Sequence, residues 1–97
     1  MFFRRKVSSH QRFQTSDQVI MIEQTGTKVL MDMKGNHYFT MNPVAGLIWE
    51  SLVEGDSMDG LIRRVHESFD ADADQLTGDV RDFVGSLLSA KLIRRVH

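Results

Sequence analysis

The chain of 97 residues contains no cysteine. This absence excludes a disulfide framework and a thiolate metal site, and it is typical of a reducing compartment, so we expect a cytoplasmic protein. Long apolar runs are also missing, since no stretch approaches the roughly 20 residues that a membrane span requires. The first six residues, MFFRRK, place their phenylalanines before their charges and are followed by no apolar segment, which argues against a signal peptide.

An excess of charge of one sign is absent too. Twelve basic and 13 acidic residues give a net charge of −1. Proteins that bind nucleic acids by neutralising phosphates need a basic surface, so this balance argues against a nucleic-acid partner. We expect no membrane partner either; the alternative is that the basic residues of the amino-terminal arm contact a membrane surface or an acidic partner. The four histidines share no ligand spacing, and glycine-rich phosphate-binding motifs are lacking. We therefore expect no metal, no other cofactor and no catalytic activity.

What the sequence does contain is a predicted three-stranded antiparallel sheet within a single domain. Residues 29–33 and His37–Met41 are two apolar strand segments, and Gly35-Asn36 between them predicts a two-residue hairpin turn. A third strand over residues 19–23 precedes them, separated by a turn at residues 25–27. The strand at 29–33 is then the middle one, and His37–Met41 lies at an edge.

Strand alternation assigns the two faces of this sheet. Leu30, Phe39 and Met41 share the face that we expect to pack on the helices. The other face is more apolar than a solvated sheet face should be, and it carries Val29, Met31, Met33 and Tyr38. We expect the amino-terminal arm or a second subunit of a homodimer to cover it.

Three helices are predicted after the sheet, each from a capping signal followed by apolar residues at helical spacing. Asn42 precedes Pro43, which suits the first helical position because its missing N–H would be unpaired there. Ser57 predicts the start of a second helix, and Asp72 with Gln75 resembles the capping box of a third. The hexapeptide LIRRVH occurs at residues 61–66 and again at 92–97. We expect a helix for the first copy and a short extended tail for the second.

The run from residue 29 to 52, VLMDMKGNHYFTMNPVAGLIWESL, resembles the signature of the PqqD-like proteins, also called RiPP recognition elements. Tyr38 and Phe39 match the aromatic pair of that family, and Asn42, Ala45 and Trp49 fall where its helix pattern expects them. Met41 replaces the usual leucine. The likeness extends over about residues 18–96.

The resemblance implies an α+β fold of the winged helix-turn-helix type, with a three-stranded antiparallel sheet followed by three helices. Residues 18–97 would form this peptide-recognition domain, and residues 1–17 a partly ordered arm. The resemblance also implies binding of the leader segment of a ribosomally made precursor peptide, which is presented to modifying enzymes. Free-standing proteins of this size are similar to those of lasso-peptide pathways, where a leader peptidase and a cyclase are the partners.

Three alternatives remain open at this stage. The first is a PqqD-type peptide chaperone for a radical-SAM enzyme in pyrroloquinoline quinone or other RiPP biosynthesis. The second is a winged-helix DNA-binding protein, since DNA-binding proteins share that fold. Such a protein would need a basic recognition helix. The second and third helices instead mix basic with acidic residues, namely Arg63, Arg64 and Arg81 with Glu67, Asp70, Asp79 and Asp82. The third is a small enzyme, for which so short a chain offers little room for a sheltered pocket.

The predicted binding site is the free edge of His37–Met41 together with one flank of the third helix. An exposed strand edge can accept an extended peptide as a further strand. Specificity must then come from side chains, and we expect Phe83 to form an apolar wall and Asp79 a polar anchor. The competing interpretation is that Phe83 only belongs to the core and that Asp79 is an ordinary carboxylate on the helix surface. The candidate peptide-binding residues are Leu30, Asp32, His37, Tyr38, Phe39, Thr40, Met41, Asp79, Val80, Phe83, Ser86 and Leu87.

Overall fold

The computed structural model describes residues 7–35 and 37–96, so the hexapeptide MFFRRK, Asn36 of the predicted turn and His97 lie outside the described residues. The described chain forms five strands and three helices. In chain order they are β1 (Arg12–Thr15), β2 (Val19–Gln24), β3 (Thr27–Asp32), β4 (His37–Met41), α1 (Pro43–Glu54), α2 (Met58–Ser68), α3 (Ala73–Ser89) and β5 (Ile93–Val96). The predicted α+β fold, three antiparallel strands followed by three helices, is confirmed.

A second, two-stranded sheet was not predicted. Within the segment expected to be a partly ordered arm, β1 pairs antiparallel with β5, so that Phe13 lies opposite Arg95. Phe13 is only 4% exposed and belongs to the main hydrophobic core. Ile93–Val96 of the second LIRRVH copy form β5, extended as expected, and the first copy lies inside α2. The two copies differ in structure because these residues of the second copy pair with β1.

The main sheet has the predicted order β2-β3-β4, with β3 in the middle. Its first turn is tight: Thr25 and Gly26 have φ of 50° and 82°, and Gln24 pairs with Thr27 on either side. The prediction of a two-residue turn at Gly35-Asn36 is wrong. The last pair of β3 and β4 joins Asp32 to His37, which leaves four residues in the connection.

That longer connection leaves the predicted faces unchanged. The register moves by two residues, and side chains alternate with a period of two, so the parity of every position is kept. Leu30 lies opposite Phe39, and Met31 lies opposite Tyr38. Leu30 is fully buried and Met41 is 5% exposed, so the predicted inner face does pack on the helices.

The helices begin at the predicted caps. Asn42 Oδ1 accepts a hydrogen bond from the backbone N–H of Ala45 at 2.8 Å. Ser57 Oγ and Asp72 Oδ2 accept equivalent bonds at the starts of α2 and α3, at 3.2 and 3.0 Å. Their apolar faces and the inner face of the sheet enclose one core, whose fully buried side chains include Leu30, Ile48, Leu52, Leu61, Val80 and Leu87. None of the described helices is long and apolar enough to cross a membrane.

Candidate functional site

The outer edge of β4 presents unpaired main-chain groups, and the ladder geometry identifies them. In an antiparallel sheet, alternate residues of the middle strand bond to opposite neighbours. Met33 donates its N–H to Gln18 at 2.8 Å, which continues the β2–β3 ladder and places the odd-numbered residues of β3 toward β2. The even-numbered residues therefore bond to His37, Phe39 and Met41 of β4. It follows that the N–H and C=O groups of Tyr38 and Thr40 point away from the sheet.

This edge is open to solvent. Tyr38 is 72% exposed, and His37 and Thr40 are exposed as well. Over residues 7–35 and 37–96, β3 is the only strand that pairs with β4. Two donors and two acceptors are thus available to an extended chain, which is the requirement for strand addition.

The connection that leads from β3 toward β4 is held by the carboxylate of Asp32. Asp32 Oδ1 accepts hydrogen bonds from Gln18 Nε2 at 2.9 Å and from the backbone N–H of Lys34 at 3.1 Å. The backbone N–H of Gly35 has the largest effect on this carboxylate, and the donors of Lys34 and Gln18 add to it. By stabilising the anion they lower the pKa of Asp32 below its ordinary value, although burial acts in the opposite direction. At its other end β4 runs directly into the capped start of α1. Both ends of the candidate edge are therefore fixed.

The predicted flank of α3 contains surface and core positions. Asp79 and Ser86 are exposed, Phe83 is half-buried against the core, and Val80 and Leu87 are buried. Phe39, on the inner face of β4, is likewise half-buried against the same core. Two partly exposed phenylalanine rings, one on β4 and one on α3, thus pack on the core and can still offer apolar surface to a ligand.

Five of the twelve predicted site residues are buried, namely Leu30, Asp32, Met41, Val80 and Leu87. A ligand cannot contact these side chains while the core stays packed, so direct contact is not expected for them. The exposed or half-buried members are His37, Tyr38, Phe39, Thr40, Asp79, Phe83 and Ser86. Direct contact with a peptide is a prediction for these seven alone.

The outer face of the sheet is apolar and exposed. Ile20 is 44% exposed and Ile22 36%, and they share this face with Tyr38. Residues 12–15 of the amino-terminal segment do not cover it, because they pair with β5 at another place in the fold. Cover by a second copy of the chain stays a prediction.

A feature that the sequence did not reveal is an open cavity of about 1130 Å³ whose lining includes four basic residues. Lys34 comes from the β3–β4 connection, Lys91 follows α3, and Arg94 and Arg95 belong to β5. No local pattern signals this cluster, since Lys34 lies more than fifty residues before the other three members. Among the described residues, no group of histidine and acidic side chains is suited to hold a metal ion.

Comparison with known proteins adds to this geometry. The family model described as coenzyme PQQ synthesis protein D (PqqD) matches residues 27–93, more than half of the chain. No curated protein sequence matches. A solved structure described as TbiB1 in complex with the TbiA(beta) leader peptide is 25% identical, with a TM-score of 0.73, and the match covers 84% of this chain and 94% of that one. A second solved structure is described as lasso peptide synthetase B1 complexed with the leader peptide. It is 20% identical, with a TM-score of 0.73, and the match covers 84% of this chain and 96% of that one. At that identity the second structure supports the fold alone.

Proposed function

The chain belongs to the PqqD family, and on this basis we propose that it binds the leader segment of a ribosomally synthesised precursor peptide and presents it to the modifying enzymes of a lasso-peptide pathway. The observation that carries the proposal is the unpaired outer edge of β4, with the main-chain groups of Tyr38 and Thr40 pointing outward. The similar TbiB1 structure, described as bound to a leader peptide, supports it.

Binding proceeds by addition of the leader as a fourth strand beside β4. Four main-chain hydrogen bonds contribute about 2–6 kcal/mol at about 0.5–1.5 kcal/mol each, whereas micromolar binding requires about 8.2 kcal/mol. Main-chain bonding alone is thus insufficient, and it discriminates poorly between sequences. The remaining affinity and the specificity must come from buried side chains of the peptide.

Those side chains find their surface on β4 and α3. Phe39 and Phe83 are half-buried, so each still has ring surface to offer an apolar side chain of the leader. Asp79 and Ser86 are exposed polar groups on α3 and are suited to orient the peptide by hydrogen bonds. Burial of the remaining ring surface of Phe39 and Phe83 contributes most to the affinity, and the polar groups set the register of the peptide.

The role is that of a carrier without chemistry of its own. We propose a leader peptidase and a cyclase as the enzymes to which the peptide is delivered, in the cytoplasm, where the precursor is synthesised. A PqqD-type role with a radical-SAM enzyme is the second candidate, because the matching family model is itself described by coenzyme PQQ synthesis. A DNA-binding role is disfavoured, since Arg64 of α2 is occupied by Glu54 and Asp56.

Amide hydrogen exchange tests the proposal within one strand. In the free protein the amides of Tyr38 and Thr40 should exchange fast, while that of Phe39, bonded to β3, should exchange slowly. Adding a synthetic leader peptide should slow exchange at Tyr38 and Thr40 and leave Phe39 nearly unchanged. Protection confined to α2 and α3, or located at the outer edge of β2 instead, would contradict strand addition at β4.

A further inference from the structure

The basic cavity lies at the end of the main sheet where β4 begins. Lys34 precedes β4 by three positions, and Lys91, Arg94 and Arg95 approach from the segment after α3. Asp17 is the one carboxylate among the described residues of its lining. The described lining thus combines four basic residues with a single acidic one, and it brings Lys34 of the β3–β4 connection together with residues 14–18, which lead from β1 into β2.

The four basic residues of the cavity differ from Lys28, Arg63 and Arg64, because they have no ion-pair partner in the part of the chain that the structure describes. Elsewhere in the fold, Lys28 pairs with Glu50, Arg63 with Asp59, and Arg64 with two carboxylates. Within residues 7–35 and 37–96, no carboxylate lies at ion-pair distance from the four basic side chains of the cavity. Like charges gathered in a concave surface raise the local potential and attract an anionic ligand.

Lys91 occupies a backbone position that favours glycine. Its φ is 62°, in the left-handed region. It closes the carboxyl end of α3: its N–H donates to Leu88 O at 3.0 Å, and the N–H of Leu92 donates to Leu87 O at 2.9 Å. Glycine is the usual residue at this point of such a helix ending. A lysine here is less stable than glycine would be, and it contributes a basic residue to the cavity lining.

A guest strand beside β4 would lead toward this cavity. Every pair of strands in the structure is antiparallel, and antiparallel pairing is the more stable arrangement. A peptide antiparallel to β4 passes Thr40 first and His37 last, so the residues on its carboxyl side arrive next to Lys34. We propose that the cavity binds the carboxylates of acidic residues that follow the strand-forming segment of the leader. This inference rests on the proposed function and names the sequence feature that the site selects.

Short anionic probes test the cavity separately from strand addition. Acetylated tetraglutamate should shift the NMR signals of Lys91, Arg94 and Arg95, and tetraglutamine should not. Equal shifts at Arg63, Arg12 and the cavity residues would mean unspecific charge attraction and would overturn the assignment. Preferential displacement of the probe by duplex DNA rather than by acidic peptide would overturn it as well.

The coupling to leader binding is tested with a peptide that protects the Tyr38 and Thr40 amides. A tetraglutamate extension at its carboxyl end should raise affinity at least about tenfold over a tetraglutamine extension, a gain equal to one charge-assisted hydrogen bond. The same extension at the amino end should give no such gain. If tetraglutamate raises the affinity equally at either end of the peptide, the cavity assignment is wrong while the proposed strand addition stands. If no peptide protects the amides of Tyr38 and Thr40, the proposed function itself is wrong.

Lys91→Gly separates binding from folding. Glycine relieves the left-handed backbone, so this variant should melt at the same temperature as the parent or higher, yet lose most of the gain from the acidic extension. Arg63→Gln is the matched control, because it removes one positive charge from α2 outside the cavity. An equal loss of the gain in both variants would overturn the proposal.

Discussion

The carboxylate of Asp32 lies directly against Gly35, so closely that a Cβ on residue 35 would overlap Oδ2 of Asp32. The same carboxylate accepts the N–H of Lys34 and the side-chain amide of Gln18. One buried acid therefore joins the start of β2, the end of β3 and the connection that leads into β4. The position of the candidate edge depends on this contact.

Gly35→Ala should disturb the connection and with it the start of β4. The added methyl group must displace a carboxylate that three donors hold in place, so we expect a loss of about 1–3 kcal/mol in the free energy of unfolding, as for overpacked sites. Chemical denaturation measures this loss. Gly26→Ala is the control for the steric overlap at residue 35. A Cβ at residue 26 meets no atom within 4 Å, so the loss of stability in that variant arises only from the positive φ. Unchanged stability and unchanged leader affinity in Gly35→Ala would contradict this view of the connection.

The stability of the protein should depend on Asp32 in acid. Its pKa is lowered in the folded state, chiefly by the backbone N–H of Gly35, relative to an ordinary value of 3.8. The folded state thus favours the ionised form, and the resulting stabilisation is complete above that ordinary value and is lost as the pH falls through the folded pKa. Asp32→Asn should melt at a lower temperature than the parent at neutral pH, and the difference between the two melting temperatures should shrink as the pH falls below 3.8. A constant difference across this range would show that the charge of Asp32 is unimportant.

Thr40→Pro should abolish leader binding and leave the fold intact. Proline removes the outward N–H and places its ring where the guest backbone would lie, but a strand edge tolerates proline because that N–H bonds to nothing in the sheet. Thr40→Ala is the control, since it keeps the N–H and should keep binding. Isothermal titration with a synthetic leader, after circular dichroism has shown both variants folded, provides the measurement. Retained binding in a folded Thr40→Pro protein would locate the peptide elsewhere.

Local signals in the sequence were sufficient to predict most of the elements and the open edge. Asn42, Ser57 and Asp72 each cap the helix that they were expected to begin, because a cap requires only residues within one turn of it. The two faces of the sheet were also predicted correctly despite the wrong turn at Gly35-Asn36, since an error of two residues preserves the alternation.

The features that the sequence did not reveal depend on contacts between distant residues. The β1–β5 pair joins positions such as Gln14 and Arg94, 80 residues apart. The basic cavity assembles only once that pair has formed. Asp32 was expected to contact a peptide, but it is buried at the end of β3, and nothing in its neighbours along the chain indicates that Gln18 provides its partner. Burial of a polar residue in this way becomes visible only with the tertiary structure.

Gly78→Ala should stabilise the protein. Gly78 lies inside α3, and a Cβ there meets no other atom within 4 Å. Alanine restricts the unfolded chain and suits a helix, so a gain of roughly 0.5–1 kcal/mol in the free energy of unfolding is expected. Gly85→Ala, which is equally unhindered, should give a similar gain, and the two should add. A loss of leader affinity in a stabilised variant would show that the surface of α3 around Gly78 and Gly85 contacts the peptide. That result would contradict the proposal that the peptide contacts α3 at Phe83 and Asp79.

Two neighbouring apolar side chains of α3 should respond differently to truncation. Phe83 is half-buried, so Phe83→Ala should cost roughly 1.5–2.5 kcal/mol of stability, about half the range for a buried phenylalanine. Leu87 is 1% exposed, and Leu87→Ala should cost about 2–5 kcal/mol. If Phe83 forms the apolar wall of the site, its truncation should weaken leader binding about tenfold or more, as removal of an aromatic anchor does. Leu87→Ala, measured at a temperature where it is fully folded, should bind nearly as the parent does, because no ligand reaches that side chain. The comparison of the two affinities therefore decides whether Phe83 contacts the peptide or only completes the core, and equal affinities in both variants would assign it to the core.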